Sequence, residues 1–179
     1  MTGKRKPGPC VFFDRDGIVN RSPGPGYVER VEDFHLLPEF VTALRTVRAR
    51  GYEAVIVTNQ RGVALGRMTQ ATLDDIHDAL RKALRNENLE LLDILVCTAD
   101  DDAHPDRKPN PGMLLAAARQ HGLDLSQSWM VGDNERDVEA GRRAGCRTVL
   151  IGEEGKASAA DFRLGSLSEL PGFLAAHLA

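Results

Sequence analysis

Apolar residues in this chain follow two spacings. Short continuous runs cover residues 10–13, 54–57, 91–97, 129–131 and 148–151. None shows the polar alternation of a half-exposed strand, so these runs predict strands buried on both faces. Between them, apolar positions recur every three or four residues. Phe40, Val41, Leu44 and Val47 predict a helix stopped by Gly51. Leu73, Ile76, Leu80, Ala83 and Leu84 predict a second, with Thr69 as its N-cap. Asn110 and Pro111 read as the cap and first residue of a helix through Leu114, Leu115 and Ala118. A helix over residues 138–144 ends near Gly145. Residues 162–164 read as an edge strand, before a helix bearing Leu170, Phe173, Leu174 and Leu178. Residues 18–37 are irregular, with turns at Pro23-Gly24-Pro25-Gly26. This alternation predicts an α/β fold, a central parallel sheet with helices on both faces.

One domain accommodates the 179 residues, and no repeat or linker divides them. Residues 1–9 (Lys4-Arg5-Lys6, then Pro7-Gly8-Pro9) read as a disordered leader, and residues 10–179 as the domain. The leader lacks the apolar stretch of a signal peptide, and no run reaches membrane-spanning length. Net charge is −3, so there is no basic field, and neither nucleic acid nor membrane is expected as a partner. Cys10, Cys97 and Cys146 are odd in number and widely spread, which argues for reduced thiols and a cytoplasmic location. A domain of this size can work as a monomer on a small molecule, and that is the expectation.

The polar signals fall at the predicted carboxyl ends of the strands, where open α/β sheets bind ligands. Asp14-Arg15-Asp16-Gly17 follows the first strand, Thr58-Asn59-Gln60 the second, Arg107-Lys108 the third, and Gly132-Asp133-Asn134 the fourth, with Asp137 one helical turn on. Each alone has a plainer explanation as a cap, turn or solvated loop, but jointly they mark one site. Asp is depleted in strands and costly to bury unpaired. Two carboxylates at that position therefore suit a metal-filled crevice.

These residue types allow phosphoryl transfer through a carboxylate. A phosphate monoester repels an attacking carboxylate, so the site needs a cation, a lysine and hydrogen-bond donors. Asp14, Asp133 and the backbone carbonyl of Asp16 suit Mg²⁺. Asp14 is the candidate nucleophile and Asp16 the acid and base. Thr58 and Lys108 would hold the phosphoryl group, and Asp137 would orient Lys108 or a metal-bound water.

Together these four motifs resemble the haloacid dehalogenase (HAD) superfamily of aspartate-nucleophile phosphatases, from about Val11 to Ile151. The resemblance implies a HAD-like Rossmannoid three-layer sandwich. Thr58-Asn59-Gln60, and Arg107-Lys108-Pro109 followed by Pro111-Gly112-Met113-Leu114, are most similar to the branch of heptose bisphosphate and histidinol-phosphate phosphatases. That branch implies no large cap domain, and a sugar phosphate as substrate. Heptose 1,7-bisphosphate, cleaved at C7, is the first candidate and histidinol phosphate the second. A nucleic-acid 3′-phosphatase and a non-catalytic binding module stand behind them. Glu29, Glu32 and Tyr27 are the loop residues available to an imidazole-bearing substrate. Substrate contacts are expected from Arg15, Gly26, Tyr27, Asn59, Gln60, Arg61, Arg107 and Asn134.

Two departures from the branch stand out. Its structural zinc uses Cys-x-His and Cys-x-Cys, whereas here Cys97 is followed by Ala99, His104 and Asp106, so no zinc is expected and Asp100-Asp101-Asp102 reads as a solvated loop. After Gln60 the branch tends to Ser-Gly-x-Ala-Arg-Gly, whereas this chain has Arg61 and, at the later arginine position, Leu65. His35, His77, His104, His121 and His177 lack metal-ligand spacing and are expected on surfaces or helix faces.

Overall fold

The computed structural model describes residues 7–152 and 157–179. Six parallel strands form one sheet: β1 (Cys10–Phe13), β2 (Glu53–Asn59), β3 (Asp93–Cys97), β4 (Trp129–Gly132), β5 (Arg147–Ile151) and β6 (Phe162–Leu164). Their order is β3-β2-β1-β4-β5-β6. The helices are α1 (Pro38–Ala49), α2 (Gln70–Asn86), α3 (Gly112–His121), α4 (Glu135–Ala144) and α5 (Leu170–His177).

The continuous apolar strands follow from burial on both faces. Successive side chains of a strand point to opposite sides. Val11, Phe13, Ala54 and Ile56 therefore pack on one face with Phe40, Leu44, Leu80 and Leu174. Cys10, Phe12, Val55 and Val57 pack on the other with Met113, Leu114 and Ala140. β1 pairs with β2 on one side and with β4 on the other, so the strand order reverses at β1. The crevice above that reversal is where such sheets bind ligands.

No insertion among the described residues forms a large cap. The longest excursion, residues 14–37, contains only a one-turn helix at Val31–Asp33. Among the described residues, no helix is long and apolar enough to cross a membrane.

Several boundaries differ from the sequence reading. Residues 1–6 of the expected leader lie outside the described residues. Gly8 already belongs to the fold: it bridges to Leu123, and its carbonyl accepts the Asp124 N–H at 2.9 Å. Thr69 caps α2 as expected, its Oγ1 accepting from the Thr72 N–H at 3.0 Å. Asn110 does not cap α3, which begins at Gly112 with Pro111 at the cap. Its side chain instead donates to the Asp102 and His104 carbonyls, closing the loop before the helix. The helix predicted from residue 138 starts earlier, at Glu135, because Asn134 and Asp137 form a reciprocal capping box.

Candidate active site

The floor of the crevice is built by close approach between the β1 and β4 loops. The Asp14 N–H donates to the Val131 carbonyl at 2.9 Å, tying the end of β1 to β4. Gly17 has φ +90°, and a Cβ there would lie 2.1 Å from Asp133 Oδ2. A Cβ on Gly132 would lie 2.2 Å from Asp137 Oδ2. Only glycine admits both carboxylates.

Lys108 enters from the loop between β3 and α3. Its Nζ donates to Asp14 Oδ1 at 2.6 Å and the Val57 carbonyl at 2.8 Å, and pairs with Asp137 Oδ1 at 2.7 Å. Asn59 fixes the backbone behind it. Asn59 Nδ2 donates to the Lys108 carbonyl at 3.0 Å and its Oδ1 accepts the Lys108 N–H at 3.1 Å. The second strand thus clamps the Lys108 loop through one amide side chain.

Carboxylate oxygens of Asp14, Asp133 and Asp137 all lie within 4.8 Å of one another. Burial is the largest influence raising the Asp14 pKa, with Asp137 adding to it and Lys108 opposing; the result is about 6. Asp133 is also pushed up to about 6, first by desolvation and then by Asp14. Burial disfavours charge on Lys108, but Asp137 and Asp14 outweigh it and hold the ammonium protonated. Three crowded carboxylates facing one ammonium form a donor set that fits a hard divalent cation.

Asp16 lies in a different setting. Its Oδ1 accepts from Arg15 NH2 at 3.0 Å and Asn20 Nδ2 at 2.9 Å. Its Oδ2 accepts from Arg15 NH2 at 3.1 Å and Gln60 Nε2 at 3.1 Å. Arg15 is fully buried, and its NH1 lies 3.3 Å from His77 Nε2. Desolvation and then Arg15 lower the His77 pKa to about 4, so its neutral ring accepts from the guanidinium. His77 is therefore a helix-face residue of α2, as expected, but a buried one that packs on Arg15. Its helical spacing gave no signal, because the contact depends on Arg15 turning inward.

The crevice is lined by Asp14, Asp16, Gly26, Tyr27, Thr58, Asn59, Lys108, Asp133, Asn134, Arg136 and Asp137, with Ser22 to Gly24 at its edge. Thr58 Oγ1 accepts from Gln60 Nε2 at 2.8 Å, leaving its hydroxyl hydrogen for another acceptor. Four expected substrate contacts do not line the crevice. Arg15 and Gln60 are buried beneath it. Arg61 pairs with Asp100. Arg107 is 5% exposed and donates to Asp102 at 2.8 Å and the Ala99 carbonyl at 3.2 Å. Asp100 and Asp102 are therefore ion-paired rather than merely solvated. Arg136, which the motif reading passed over, does line the crevice.

A family model described as haloacid dehalogenase-like hydrolase matches residues 19–142. The chain belongs to the haloacid dehalogenase-like hydrolases. It is 32% identical to the D-glycero-beta-D-manno-heptose-1,7-bisphosphate 7-phosphatase of Escherichia coli K12, covering 91% of this chain and 92% of that one. It is 34% identical to the corresponding alpha-anomer enzyme of Photorhabdus laumondii, over 81% of this chain and 82% of that one. The structure of D,D-heptose 1,7-bisphosphate phosphatase from B. bronchiseptica, complexed with magnesium and phosphate, superimposes with a TM-score of 0.83. Sequence identity to it is 30%, over 93% of this chain and 97% of that one. This HAD-type chain is a phosphoric monoester hydrolase. The fold, the parallel sheet and the lack of a large cap agree with the sequence reading.

Proposed function

We propose that this chain hydrolyses the C7 phosphate of D-glycero-D-manno-heptose 1,7-bisphosphate through an aspartyl-phosphate on Asp14. One observation carries the reading. The Asp14–Lys108–Asp137 network sits beside Asp133 at the sheet's switch point, in a chain that matches heptose enzymes over nearly their whole length. Asp14, Asp133 and the backbone carbonyl of Asp16 would hold Mg²⁺. When bound, the cation neutralises charge on the phosphoryl oxygens and orients them.

Lys108 donates to Asp14 Oδ1 and holds the carboxylate in place for attack on phosphorus. As the Asp14–phosphorus bond forms, the bond to the sugar oxygen breaks, and protonated Asp16 gives that oxygen its proton. Asp16, now anionic, takes a proton from the water that attacks the aspartyl-phosphate, releasing phosphate and restoring Asp14. Arg15, Asn20 and Gln60 donate to the Asp16 carboxylate and hold it in place at the edge of the site. Thr58 donates to the transferring group, and the positive charge of Lys108 offsets the charge on it. Asp137 is a positioning residue: one oxygen holds Lys108, and the other accepts the Asn134 N–H at 3.2 Å.

The substrate in this reading is a small molecule, and the protein a cytoplasmic monomer. Its three cysteines are free and buried, which suits a reducing compartment. We further infer that residues 97–107 hold no zinc. Cys97 Sγ lies 3.8 Å from His104 Nδ1, but that nitrogen accepts the Asp106 N–H at 3.2 Å. The remaining donors make a poor tetrahedral set. Arg107 and Asn110 tie the loop instead. One zinc per chain by elemental analysis of protein purified without chelators would overturn this.

The function is tested by phosphate release with Mg²⁺ from both anomers of heptose 1,7-bisphosphate and from histidinol phosphate, with Asp14→Asn as blank. Asp14-dependent release from one heptose anomer is expected. Release at the level of the blank from both anomers would sink the substrate assignment.

A further inference from the structure

A bisphosphate brings a second phosphate, which the chemistry at Asp14 does not hold. Among the described residues the crevice lining contains four aspartates, Asp14, Asp16, Asp133 and Asp137, and two cations, Lys108 and Arg136. Lys108 is committed to the floor, with two carboxylates and a carbonyl on its ammonium. Arg136 is the one cation of the lining left for an anion outside the reacting centre.

Its setting suits that task. The side chain is 49% exposed, and its ion-pair partner, Asp102, lies 3.5 Å away. Asp102 has a tighter partner in Arg107, at 2.8 Å. Arg136 can leave Asp102 without stranding a carboxylate. Arg136 also sits in the first turn of α4, between Glu135 and Asp137. A cation there opposes the helix dipole, so helix stability does not explain it. An anion at that end gains from both the dipole and the guanidinium fork.

We infer that Arg136 is a specificity-determining residue that binds the non-reacting phosphate of a sugar bisphosphate. This rests on the bisphosphate reading above. Asp102 holds the guanidinium at the rim until that phosphate replaces it. Arg61 and Arg107, the arginines prominent in the sequence, stay with Asp100 and Asp102 and shape the rim.

The test compares each bisphosphate with its monoester, using wild type, Arg136→Gln and Arg136→Lys with Mg²⁺. The substrate pairs are heptose 1,7-bisphosphate with heptose 7-phosphate, and fructose 1,6-bisphosphate with fructose 6-phosphate. Wild type is expected to prefer the bisphosphate. Arg136→Gln is expected to raise its KM about 10–100-fold, from losing a charged hydrogen-bond pair, with a smaller change in kcat. The bisphosphate-to-monoester ratio of kcat/KM then falls by a similar factor, and Arg136→Lys restores part of it. A ratio within about twofold of wild type in Arg136→Gln overturns the inference, as does an equal loss on both members of a pair. A wild type without bisphosphate preference in either pair overturns it as well. If wild type ignores the heptose pair but shows an Arg136-dependent preference in the fructose pair, the heptose assignment fails and the role of Arg136 stands.

Discussion

Lys108 and Arg136 are cations of the same crevice, and the protein treats them oppositely. Lys108 is 2% exposed, with three oxygens within 2.8 Å of its ammonium, and the second strand clamps its backbone through Asn59. Arg136 is half exposed and has one loose partner at 3.5 Å. In the proposed mechanism the floor is preorganised: its groups are already where charge develops, so reaction requires little reorganisation. The rim is built from loops and exposed pairs that can exchange partners. In the proposed reading, chemistry sits on the rigid part and recognition on the adaptable part.

The contrast breaks first at Lys108. Removing it leaves Asp14 and Asp137 buried against each other without a counter-charge. Breaking a buried pair in this way costs about 3–5 kcal/mol. Lys108→Met should lose stability of that order at pH 7.5 by denaturant unfolding, and less at pH 5, where the unpaired carboxylates protonate. Loss of the ammonium charge beside the phosphoryl group should also lower kcat about 10²–10³-fold. A variant as stable as wild type at pH 7.5 would mean that the floor is not held as an ion network.

The carboxylates of the floor give a pH dependence of definite sign. Asp14 and Asp133, at about 6 in the metal-free protein, lie above the ordinary 3.8. Their contribution to stability is full below the unfolded value near pH 4 and is lost as pH rises through about 6. A bound divalent cation favours the charged forms and reverses that loss. The rise in Tm with millimolar Mg²⁺ should therefore be small at pH 5, grow through pH 6 and level off above pH 7. Scanning calorimetry checks this, and a Mg²⁺ shift equal at pH 5 and pH 7.5 would contradict it. Gly17→Ala should reduce the shift at every pH, because its Cβ would sit 2.1 Å from Asp133 Oδ2 at a positive φ.

Floor and rim were unequally legible in the sequence. Strand ends are marked by a change from apolar runs to polar residues, so Asp14, Thr58, Lys108, Asp133 and Asp137 could be placed at one mouth without coordinates. The alternating burial of Val11, Phe12 and Phe13 onto two helix layers is equally implicit in a run with no polar alternation. Side-chain direction in loops carries no such period. Arg15 and Gln60, taken for substrate contacts, instead turn beneath the floor to hold Asp16. Asn59 supports the lysine loop rather than a turn of its own. Arg136 had a usable signal, a basic residue in the first turn of a helix where acids are favoured. It was hidden by the motif of acidic residues around it.

The smallest effect belongs to the rim and sharpens the comparison from the other side. Arg61 and Asp100 pair across two loops, with side chains 45% and 48% exposed. Exposed pairs of this kind contribute about 0–1 kcal/mol, because solvent screens them and two long side chains must be held still. Arg61→Ala and Asp100→Ala should each change unfolding free energy by less than about 1 kcal/mol, and the double variant by no more than the sum within error. KM for the bisphosphate should move less than in Arg136→Gln, since Arg61 does not line the crevice. A larger KM effect at Arg61 than at Arg136 would transfer the recognition role to the loop after β2. It would also mean that the rim exchanges partners more widely than the Asp102 contact alone implies.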